Sequence, residues 1–538
     1  MDFDEISPDR QDKPKLNGAF LEIPGSLLTR LTSEAFSRLA FTFTREHLEN
    51  LAAVVTAESS SYNDKLTASL LLRNAVIASE GILPLCQDTG TAQIFGWKDE
   101  GIITDGDEIQ ALTSGIENTY TTKNLRYSTV IPDSLFEEHD PGNNLPGQIL
   151  ITASQNRNES GPVFRFLFCA KGGGSSNKTA LFQETKGILN EKSFTGFLEK
   201  NIAGLGTSAC PPYTIAVVIG GISPEQNLLA LKLATAGWFS ERRPGYDYRV
   251  MGTEPLRFPD WEKKVVEIAA KTGFGAQFGG QAMALSAQVL RLPRHGASCP
   301  VSIGVSCSAH RNICGYIDKT GAWIEKTEPN PLSVPGLAEA AAFSQQQNTG
   351  PVHIEVENDI QKTRKNLSAI KPGTPVILSG KILVARDAAH ARWRNLLEQG
   401  QPLPGYTAKY PIIYAGPAET PEHHIIGSFG PTTAGRMDAY AEELMERGAA
   451  LITLAKGNRS ETWRRTCEKY GAVYLGVIGG AAALIADSYI TGNELIDYPD
   501  LGMEAVRLIT VKELPAFVLI NGSGQDFYEE LVQAAKKT

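Results

Sequence analysis

The sequence lacks the long apolar runs and the basic excess that mark membrane proteins and nucleic-acid-binding proteins. No stretch of its 538 residues approaches the roughly 18 consecutive apolar residues that a membrane-spanning helix needs. The formal net charge is −9, whereas a general nucleic-acid-binding protein normally carries a basic balance. We therefore predict no membrane and no nucleic-acid partner. The same charge means that an anionic substrate must find a local basic pocket.

Cysteines are scarce, and their number is odd. Seven cysteines in a chain of this length argue against a disulfide scaffold and favour reduced thiols or thiolates that bind a metal. The segment 1–15 is acidic and polar, so it has neither the apolar region of a signal peptide nor the Arg-rich, acid-poor character of a transit peptide. We therefore expect a cytoplasmic protein, with a trimmed organellar form as the alternative.

Several catalytic motifs are absent as well. The sequence contains no HExxH and no GxSxG motif. The glycine-rich segment 172–178 has Asn177 where a phosphate-binding P-loop requires glycine, and the glycines of segment 273–279 have the wrong spacing for a dinucleotide fingerprint. These absences argue against kinases, dehydrogenases and serine hydrolases. The consecutive glycines at 172–174 still allow either an anion site or a plain tight turn.

The chain is too long for one ordinary core, so its length predicts two or three domains. Helix signals are strong at 65–79, where apolar residues recur at helical spacing, and at 107–123, which follows a Gly-Asp start. The predicted fold class is α/β (mixed α+β). The expected parts are a polar N-terminal extension, a helix-rich N-terminal cluster domain, a linker and a smaller α/β C-terminal domain, at 1–35, 36–340, 341–372 and 373–538.

Buried strands are predicted from uninterrupted apolar runs. The run 163–170 leads through the glycine-rich segment into a predicted helix that ends near residue 189. The run 214–221 leads into another helix through Ser223 and Pro224. In the C-terminal domain short strands alternate with helices, and the predicted strands are 375–385, 450–455, 473–478 and 516–520.

Three cysteines lie in loops with small or rigid neighbours, the setting in which a thiolate can reach a metal cluster. Cys86 lies between Pro84 and Gly90, Cys210 precedes two prolines, and Cys307 lies in the segment VSCSAHR. Composition and spacing do not choose these three thiols from the seven. They identify only candidates for metal binding.

A local alternative involves one of the same thiols. Cys299, Cys307, His310 and Cys314 form C-x7-C-x2-H-x3-C, which offers four zinc ligands within a short stretch. Paired ligands of a zinc finger usually lie closer together than this. The residues alone therefore leave a zinc-stabilised binding protein open as a different class of function.

Long segments resemble the class I, oxygen-sensitive fumarate hydratases over nearly the whole chain. In the first half they are LPLCQDTGTAQI (83–94), NLRYS (124–128), AKGGGSSNKTALFQETK (170–186), LGTSACPPYTIAVVIGG (205–221), GAQFGG (275–280) and RLPRHGASCPVSIGVSCSAHRNI (291–313). In the second half they are GKILVARDAAHAR (380–392), YAGPAETPE (414–422), GPTTAGRMD (430–438), LAKGNRS (454–460) and YLGVIGGAAA (474–483). Segments this long and chemically unusual argue strongly against chance similarity.

The resemblance implies a cofactor and its ligands. In this family three cysteines bind a [4Fe–4S] cluster, and they match Cys86, Cys210 and Cys307, whereas Cys299 matches a position that is not a ligand. Three thiolates for four irons leave one iron without a protein ligand. The cluster is therefore expected to act as a Lewis acid rather than as an electron carrier.

The resemblance also implies the substrate site. Both carboxylates of malate need cationic partners, and arginine suits this because its fork meets a carboxylate with two hydrogen bonds. Thr432 is the implied proton acceptor, assisted by a carboxylate such as Asp88, and His295 competes for that role because its ordinary pKa lies near neutrality. The matching residues are Gln87, Asp88, Arg126, Gly174, His295, Arg386, Thr432, Arg436 and Lys456.

The implied function is that of a fumarate hydratase, a hydro-lyase that interconverts fumarate and (S)-malate and acts as a homodimer with its site between two domains. An L-tartrate or mesaconate dehydratase of the same family is the alternative. The sequence departs from the family pattern at His310, where aspartate is common, and at His423 and His424. His310 lies three residues after Cys307, so we expect it to affect the cluster or its exposure to solvent.

Overall fold

The computed structural model describes residues 2–6, 12–154, 161–243, 245–343, 351–356 and 360–535. Parts of the predicted extension, at 1 and 7–11, and of the predicted linker, at 344–350 and 357–359, lie outside the described residues. Helices and strands both contribute large parts of the structure, which confirms the predicted α/β class. Among the described residues, no helix is long and apolar enough to cross a membrane.

The elements of the N-terminal part are numbered in chain order. The helices are α1 (Gly25–Phe41), α2 (Arg45–Thr56), α3 (Tyr62–Ala78), α4 (Glu108–Thr122), α5 (Gly173–Ser176), α6 (Glu191–Leu205), α7 (Pro224–Thr235), α8 (Pro259–Lys271) and α9 (Leu337–Ala341). The strands are β1 (Phe3–Ile6), β2 (Lys15–Asn17), β3 (Phe20–Pro24), β4 (Thr91–Lys98), β5 (Ile102–Asp105), β6 (Ile131–Pro132), β7 (Glu138–His139), β8 (Gln148–Ala153), β9 (Phe164–Lys171), β10 (Ala180–Glu184), β11 (Tyr213–Gly221), β12 (Leu256–Arg257), β13 (Ala284–Arg294), β14 (Cys299–Ser306), β15 (Asn312–Asp318) and β16 (Gly321–Glu325).

The numbering continues through the C-terminal part. Its strands are β17 (Val352–Val356), β18 (Pro375–Val384), β19 (Ile412–Ile413), β20 (Ile452–Ala455), β21 (Val473–Gly476), β22 (Ile490–Asp497) and β23 (Val506–Ile520). Its helices are α10 (Ile360–Ser368), α11 (Asp387–Glu398), α12 (Ala441–Glu446), α13 (Glu461–Tyr470), α14 (Ala482–Leu484) and α15 (Phe527–Ala535). Short 3-10 helices lie at Ala434–Tyr440 and Pro499–Glu504.

Two sheets form the framework of the N-terminal part. The strand order is β1-β16-β15-β9-β4-β8 in the first sheet and β10-β14-β11-β13-β12 in the second. Strands β9, β11 and β14 are buried along their whole length. Continuous apolar runs suit such doubly covered strands. These strands therefore give rigid support to the loops that carry Cys210, just before β11, and Cys307, just after β14.

One seven-stranded sheet forms the framework of the C-terminal part. Its order is β17-β18-β19-β20-β21-β23-β22, and the strands from β17 to β21 are parallel. The carboxyl ends of parallel strands meet at one edge of a sheet, where ligands of such folds commonly bind. Arg386, Gly416, Lys456 and Gly479 all follow closely after these strands, so the sheet brings them to the same edge.

Two predicted helices are confirmed, and their ends have clear causes. Helix α3 begins after Ser61, whose hydroxyl accepts the Asp64 amide while the Asp64 carboxylate accepts the Ser61 amide. This capping box satisfies amides that the first helical turn leaves free. Helix α4 begins after Asp107, whose carboxylate accepts two amides of the first turn.

The first 35 residues differ from the predicted surface extension. Strand β1 pairs with β16, and β3 lies between β2 and β5 in a small sheet. Leu21 and Ile23 of β3 are buried at 0% and 1% exposure, because alternate side chains of a strand face the same core. Residue 35 lies inside α1, where Leu27, Leu31 and neighbouring side chains are also buried.

The segment after the glycine-rich turn also differs from the prediction. A helix was expected to run to residue 189, but the structure has the one-turn helix α5 followed by strand β10. Residues Ala180 to Glu184 pair antiparallel with β14, from Ile303 back to Cys299. Pairing with a buried neighbouring strand here outweighs local helix propensity, because sheet formation depends strongly on tertiary context.

Candidate active site

The three loop cysteines converge on one site. Cys86 lies between α3 and β4, and Cys86 and Cys210 are 8% and 4% exposed. Cys307 follows β14 and is half-buried. Burial raises the pKa of the Cys210 thiol to about 11, and nearby Cys307 and Cys86 add to that rise. Each thiol is thus close enough for its charge to act on the others.

Lys456 brings a cation to these thiols from the C-terminal sheet. Its Nζ lies 2.8 Å from Cys210 Sγ. Burial by itself would lower the pKa of the Lys456 ammonium, but the charges of Cys210 and Cys86 outweigh burial and raise that pKa above its ordinary value. The site is therefore composed of residues from both parts of the chain.

Arg311 is a second cation beside the thiols, and it reaches them from the N-terminal part. Arg311 is 5% exposed, and its Nε has no hydrogen-bond partner in the portion of the chain that the structure describes. The charges of Cys86, Cys307 and Asp88 raise the pKa of its guanidinium, against the opposing effect of burial. A buried guanidinium needs compensating negative charge, which ionised thiols and Asp88 supply.

Gln277 ties the Cys210 loop to the C-terminal part. Its Nε2 donates to the carbonyls of Pro211 and Gly479 at 3.0 and 2.9 Å, and its Oε1 accepts the Gly479 amide at 2.8 Å. A Cβ atom at Gly479 would clash with Cys210 Sγ. Glycine is therefore required there, because only a residue without a side chain lets the backbone pass so close to the sulfur.

The donor set fits an iron–sulfur cluster better than a single ion. In the described part of the chain, no three Cys, His, Asp or Glu side chains are grouped as ligands of one metal ion. The three thiols are instead gathered with the buried cations Lys456 and Arg311. Three sulfur donors with nearby positive charge match the chemistry of an anionic thiolate-bound cluster, which is larger than one ion.

The zinc alternative is wrong for the four residues that suggested it. Cys299 and Cys307 lie at opposite ends of β14, about 26 Å apart at the usual rise of a strand. Cys314 lies in β15, where its Sγ accepts a hydrogen bond of 3.0 Å from Arg243 Nη1. The Cys and His side chains of this stretch therefore cannot meet at one zinc ion.

Asp88 lies next to the thiols and is held by three donors. Its carboxylate accepts hydrogen bonds from the Gly173 amide at 2.9 Å and from Ser128 Oγ at 3.2 Å, and it pairs with Arg126 Nη2 at 3.2 Å. Burial would raise the pKa of this carboxyl, but Arg126 and Arg311 outweigh it and lower the pKa to about 2. The glycine-rich turn thus binds an anionic group, which is a side chain of the protein itself.

Asn144 fixes the loop that carries Arg126 and Ser128. Its Oδ1 accepts the amides of Ser128 and Thr129 at 2.6 and 3.1 Å, and its Nδ2 donates to the Gly90 carbonyl at 3.0 Å. The residue is 0% exposed. This fully buried amide connects the Arg126 loop to the loop of Asp88.

Arg386 directly precedes α11, and Arg436 lies in the 3-10 helix Ala434–Tyr440. Arg386 pairs with Glu504 at 2.7 Å and with Asp387 at 3.2 Å, and Arg436 Nε pairs with the other oxygen of Asp387 at 2.9 Å. Arg126 Nη1 reaches towards this group and donates to the Gly416 carbonyl at 3.4 Å. Three guanidiniums are thereby gathered, and Arg126 is near enough to Cys86 for the two charges to interact.

The remaining predicted substrate residues contact loops of the same site. Gln87 Nε2 donates to the Pro431 carbonyl at 3.2 Å, which places Gln87 beside Thr432. The Lys456 amide donates to the Thr432 carbonyl at 3.1 Å. A Cβ atom at Gly174 would lie 3.4 Å from Cα of Ala209, the neighbour of Cys210.

Sequence comparison agrees with this arrangement. The family model described as "Fumarate hydratase (Fumerase)" matches residues 29–315, and the model "Fumarase C-terminus" matches residues 321–531. Fumarate hydratase 2 of Leishmania major is 45% identical over 512 residues, which cover 95% of this chain and 88% of that protein.

The chain belongs to the fumarate hydratase family.

Two further relatives cover the chain to the same extent. The aerobic class I fumarate hydratase of Escherichia coli (strain K12) is 43% identical over 513 residues, 95% of this chain and 91% of that protein. The mitochondrial fumarate hydratase 1 of Leishmania major is 42% identical over 518 residues, again 95% and 91%. The two matched fumarate hydratase regions meet between residues 315 and 321, before the predicted linker.

His295 lies apart from the other predicted site residues. It is exposed in the turn between β13 and β14, where its Nδ1 accepts the Ala297 amide at 3.1 Å. Within the described residues, no hydrogen bond or ion pair joins it to the cysteines, the arginines or Thr432. Its role in proton transfer stays a prediction.

The three histidines at which the sequence departs from the family pattern lie in different environments. His310 is stacked on His47, with ring centroids 5.3 Å apart, and its amide donates to the Cys307 carbonyl at 2.9 Å. It lines a cavity of about 640 Å³ together with His47 and Cys314. His423 and His424, by contrast, lie on the exposed surface. Of these three histidines, only His310 is in a position to affect the thiols.

Sequence reasoning missed several residues that build the site. Arg311 lies within a motif that resembles the family, four residues after Cys307, so the motif contained the signal. Gln277 likewise lies in the quoted segment GAQFGG. Asn144 and Glu504 lie outside all quoted motifs, and only the fold brings them to Arg126 and Arg386.

Proposed function

We propose that the protein catalyses the reversible hydration of fumarate to (S)-malate, with a [4Fe–4S] cluster held by Cys86, Cys210 and Cys307. The observation that carries the proposal is that three thiols, with Lys456 in contact with Cys210, lie next to a group of three guanidiniums, of which Arg126 is near Cys86. The thiols supply ligands for a cluster, and the guanidiniums supply partners for a dicarboxylate. The relatives of similar length are named as fumarate hydratases.

The cofactor and the protein divide the chemistry between them. A cluster with three thiolate ligands supplies, when bound, a Lewis acid that makes hydroxide a feasible leaving group. Arg126, Arg386 and Arg436 bind the substrate carboxylates and orient the carbon skeleton. Lys456 and Arg311 balance the negative charge of the thiolates, because such charge is costly in a buried site without counter-charges.

Proton transfer is assigned to Thr432. Its Oγ1 takes the C3 proton of malate while its own hydroxyl proton passes to a neighbouring carboxylate such as Asp88, on the side opposite to the departing hydroxide. Both transfers reverse in the hydration direction. A neutral threonine is a weak base, so the role needs a neighbouring carboxylate and positive charge. Asp88 is ionised near neutral pH, because Arg126 and Arg311 lower the pKa of its carboxyl to about 2. Its carboxylate can therefore supply this negative charge.

We also propose that the active protein is a cytoplasmic homodimer. This proposal follows from the family resemblance. Light scattering of the purified protein should give twice the chain mass. A monomer that is fully active would contradict this part of the proposal.

An anaerobic assay tests the main proposal. The protein with its cluster should form malate from fumarate, and kcat/KM for malate should exceed that for L-tartrate or mesaconate. Thr432→Ala should lower kcat by about 100-fold or more, the range for loss of an acid–base group, and His295→Ala should lower it less. An enzyme that prefers tartrate, or a His295→Ala variant with the greater loss, would overturn the respective assignment.

A further inference from the structure

The side chain of Arg386 is clamped between a carboxylate and a glycine that have no assigned role. We propose that Glu504 is a positioning residue that, together with Gly416, sets the place of the Arg386 guanidinium for a substrate carboxylate. This inference rests on the proposed function, because it deepens the account of how the same site binds a dicarboxylate. Its basis is the geometry around Arg386.

Glu504 uses both of its carboxylate oxygens. Oε1 lies 2.7 Å from Arg386 Nη2, and Oε2 accepts the backbone amide of Ala388 at 2.8 Å. Ala388 lies in the first turn of α11, and Arg386 is the residue that precedes this helix. The carboxylate therefore joins the guanidinium to the helix that follows it, and neither oxygen is free to swing away.

Gly416 limits the guanidinium on another side. A Cβ atom at this position would lie 2.9 Å from Arg386 Nη1 and 3.4 Å from Arg386 Cδ. Real Cβ atoms almost never approach a neighbour that closely, so a larger residue here would force the guanidinium end of Arg386 to move. Because Gly416 has no side chain, the Arg386 guanidinium can lie directly against its backbone.

The same glycine also holds the second guanidinium. Its carbonyl accepts the hydrogen bond from Arg126 Nη1 at 3.4 Å. Arg126 comes from the N-terminal part and Arg386 from the C-terminal sheet. Gly416 contacts both guanidiniums and therefore fixes their positions relative to each other. Glu504 is near enough to both guanidiniums to offset their mutual repulsion.

This arrangement has a chemical consequence. Each guanidinium gives part of its fork to a protein carboxylate, Arg126 to Asp88 and Arg386 to Glu504. Both guanidiniums lie against Gly416, and Arg126 Nε is buried without a partner in the described part of the chain. Donors left over from two neighbouring guanidiniums suit one carboxylate of a dicarboxylate substrate. A fixed pair of this kind improves binding, because less side-chain entropy is lost when the substrate arrives.

The test compares Glu504→Gln with a matched control, Asp500→Asn. Asp500 lies in the same 3-10 helix and pairs with Arg392 at 2.9 Å, but on the exposed surface. Glu504→Gln should raise KM for both fumarate and malate by about 10-fold, with kcat nearly unchanged, because uniform binding is lost. Glu504→Asp should give an intermediate KM, and Asp500→Asn should match the wild type.

Gly416→Ala gives a second, independent variant. Its added methyl group should displace Arg386 and raise KM in the same direction, with iron content and the melting temperature close to those of the wild type. The inference is overturned if Glu504→Gln leaves KM unchanged, or if Asp500→Asn raises it equally.

Binding of succinate, a dicarboxylate that cannot be hydrated, separates this inference from the proposed function. Calorimetry should show weaker succinate binding to Glu504→Gln than to the wild type. If the wild type forms no malate but this difference is found, the proposed reaction fails and the positioning role stands. If malate forms and both proteins bind succinate equally, the positioning role fails and the reaction stands.

Discussion

The two ends of the site balance their charges in different ways. At the guanidinium end, Arg126, Arg386 and Arg436 each have a carboxylate oxygen within 3.2 Å, from Asp88, Glu504 and Asp387. At the thiol end, defined by Cys86, Cys210, Cys307, Lys456 and Arg311, neither cation forms an ion pair with a carboxylate among the residues that the structure describes. Lys456 faces a sulfur at 2.8 Å instead.

This difference indicates two separate tasks. The guanidinium end is fixed by its own carboxylates, and a preorganised clamp of this kind positions a substrate accurately. At the thiol end Lys456 contacts the sulfur of Cys210, and Arg311 is balanced by Cys86 and Cys307 together with Asp88. The charge of these cations is therefore matched mainly to thiolates and to what thiolates bind. Damage at the thiol end should therefore remove the cofactor, whereas damage at the guanidinium end should weaken catalysis with the cofactor in place.

The largest effect is expected from Cys307→Ser. A serine hydroxyl is a much poorer ligand for an iron–sulfur cluster than a thiolate, so both the cluster absorption and the hydration of fumarate should be lost. Iron analysis and an anaerobic activity assay measure the two. Cys299→Ser is the control, because Cys299 lies at the other end of β14 and should be dispensable. Loss of iron from the Cys299 variant alone would refute the ligand assignment.

A change at the other end should separate binding of the substrate from binding of the cofactor. Arg126→Lys keeps the charge and removes the fork that meets Asp88 and Gly416. We expect kcat/KM to fall by about 100-fold, since small misplacements of such groups are costly, with iron content unchanged. Arg45→Lys, at an exposed pair with Glu49, serves as the control. Loss of iron from Arg126→Lys would show that the two ends are not separate.

A smaller effect is expected from Asn144→Ala, which acts on the guanidinium end only through the loop of Arg126. The change leaves the amides of Ser128 and Thr129 and the carbonyl of Gly90 without their partner. Unsatisfied buried groups cost about 1–3 kcal/mol each, so the melting temperature should fall and kcat/KM should drop by roughly 10-fold. Asn143→Ala, one residue away, should change activity much less. Equal losses in the two variants would exclude a specific role.

The sequence predicts local structure well where local chemistry decides it. Helices α3 and α4 have capping residues and helical spacing, and both were predicted close to their observed ends. The helix expected after the glycine-rich turn was wrong, because the partner strand β14 lies more than 100 residues away. Likewise, the polar appearance of the first residues gave no sign of the pairing between β1 and β16.

The candidate site was predicted only as far as the motifs reach. The three cysteines and most substrate residues are in segments that resemble the family, and the structure gathers them, although their roles stay predictions. Glu504 was missed because its importance comes from contacts with Arg386 and the Ala388 amide across the fold. No local pattern distinguishes such a glutamate from a surface residue.

A single measurement tests most directly whether three thiols hold a cluster that works on the substrate. A ⁵⁷Fe Mössbauer spectrum of the anaerobically prepared protein should contain cluster iron, and the addition of malate should change the signal of about a quarter of it, the one iron of four without a thiolate. The account is contradicted by a protein that contains no cluster iron. It is also contradicted by a cluster whose irons are all unaffected by malate.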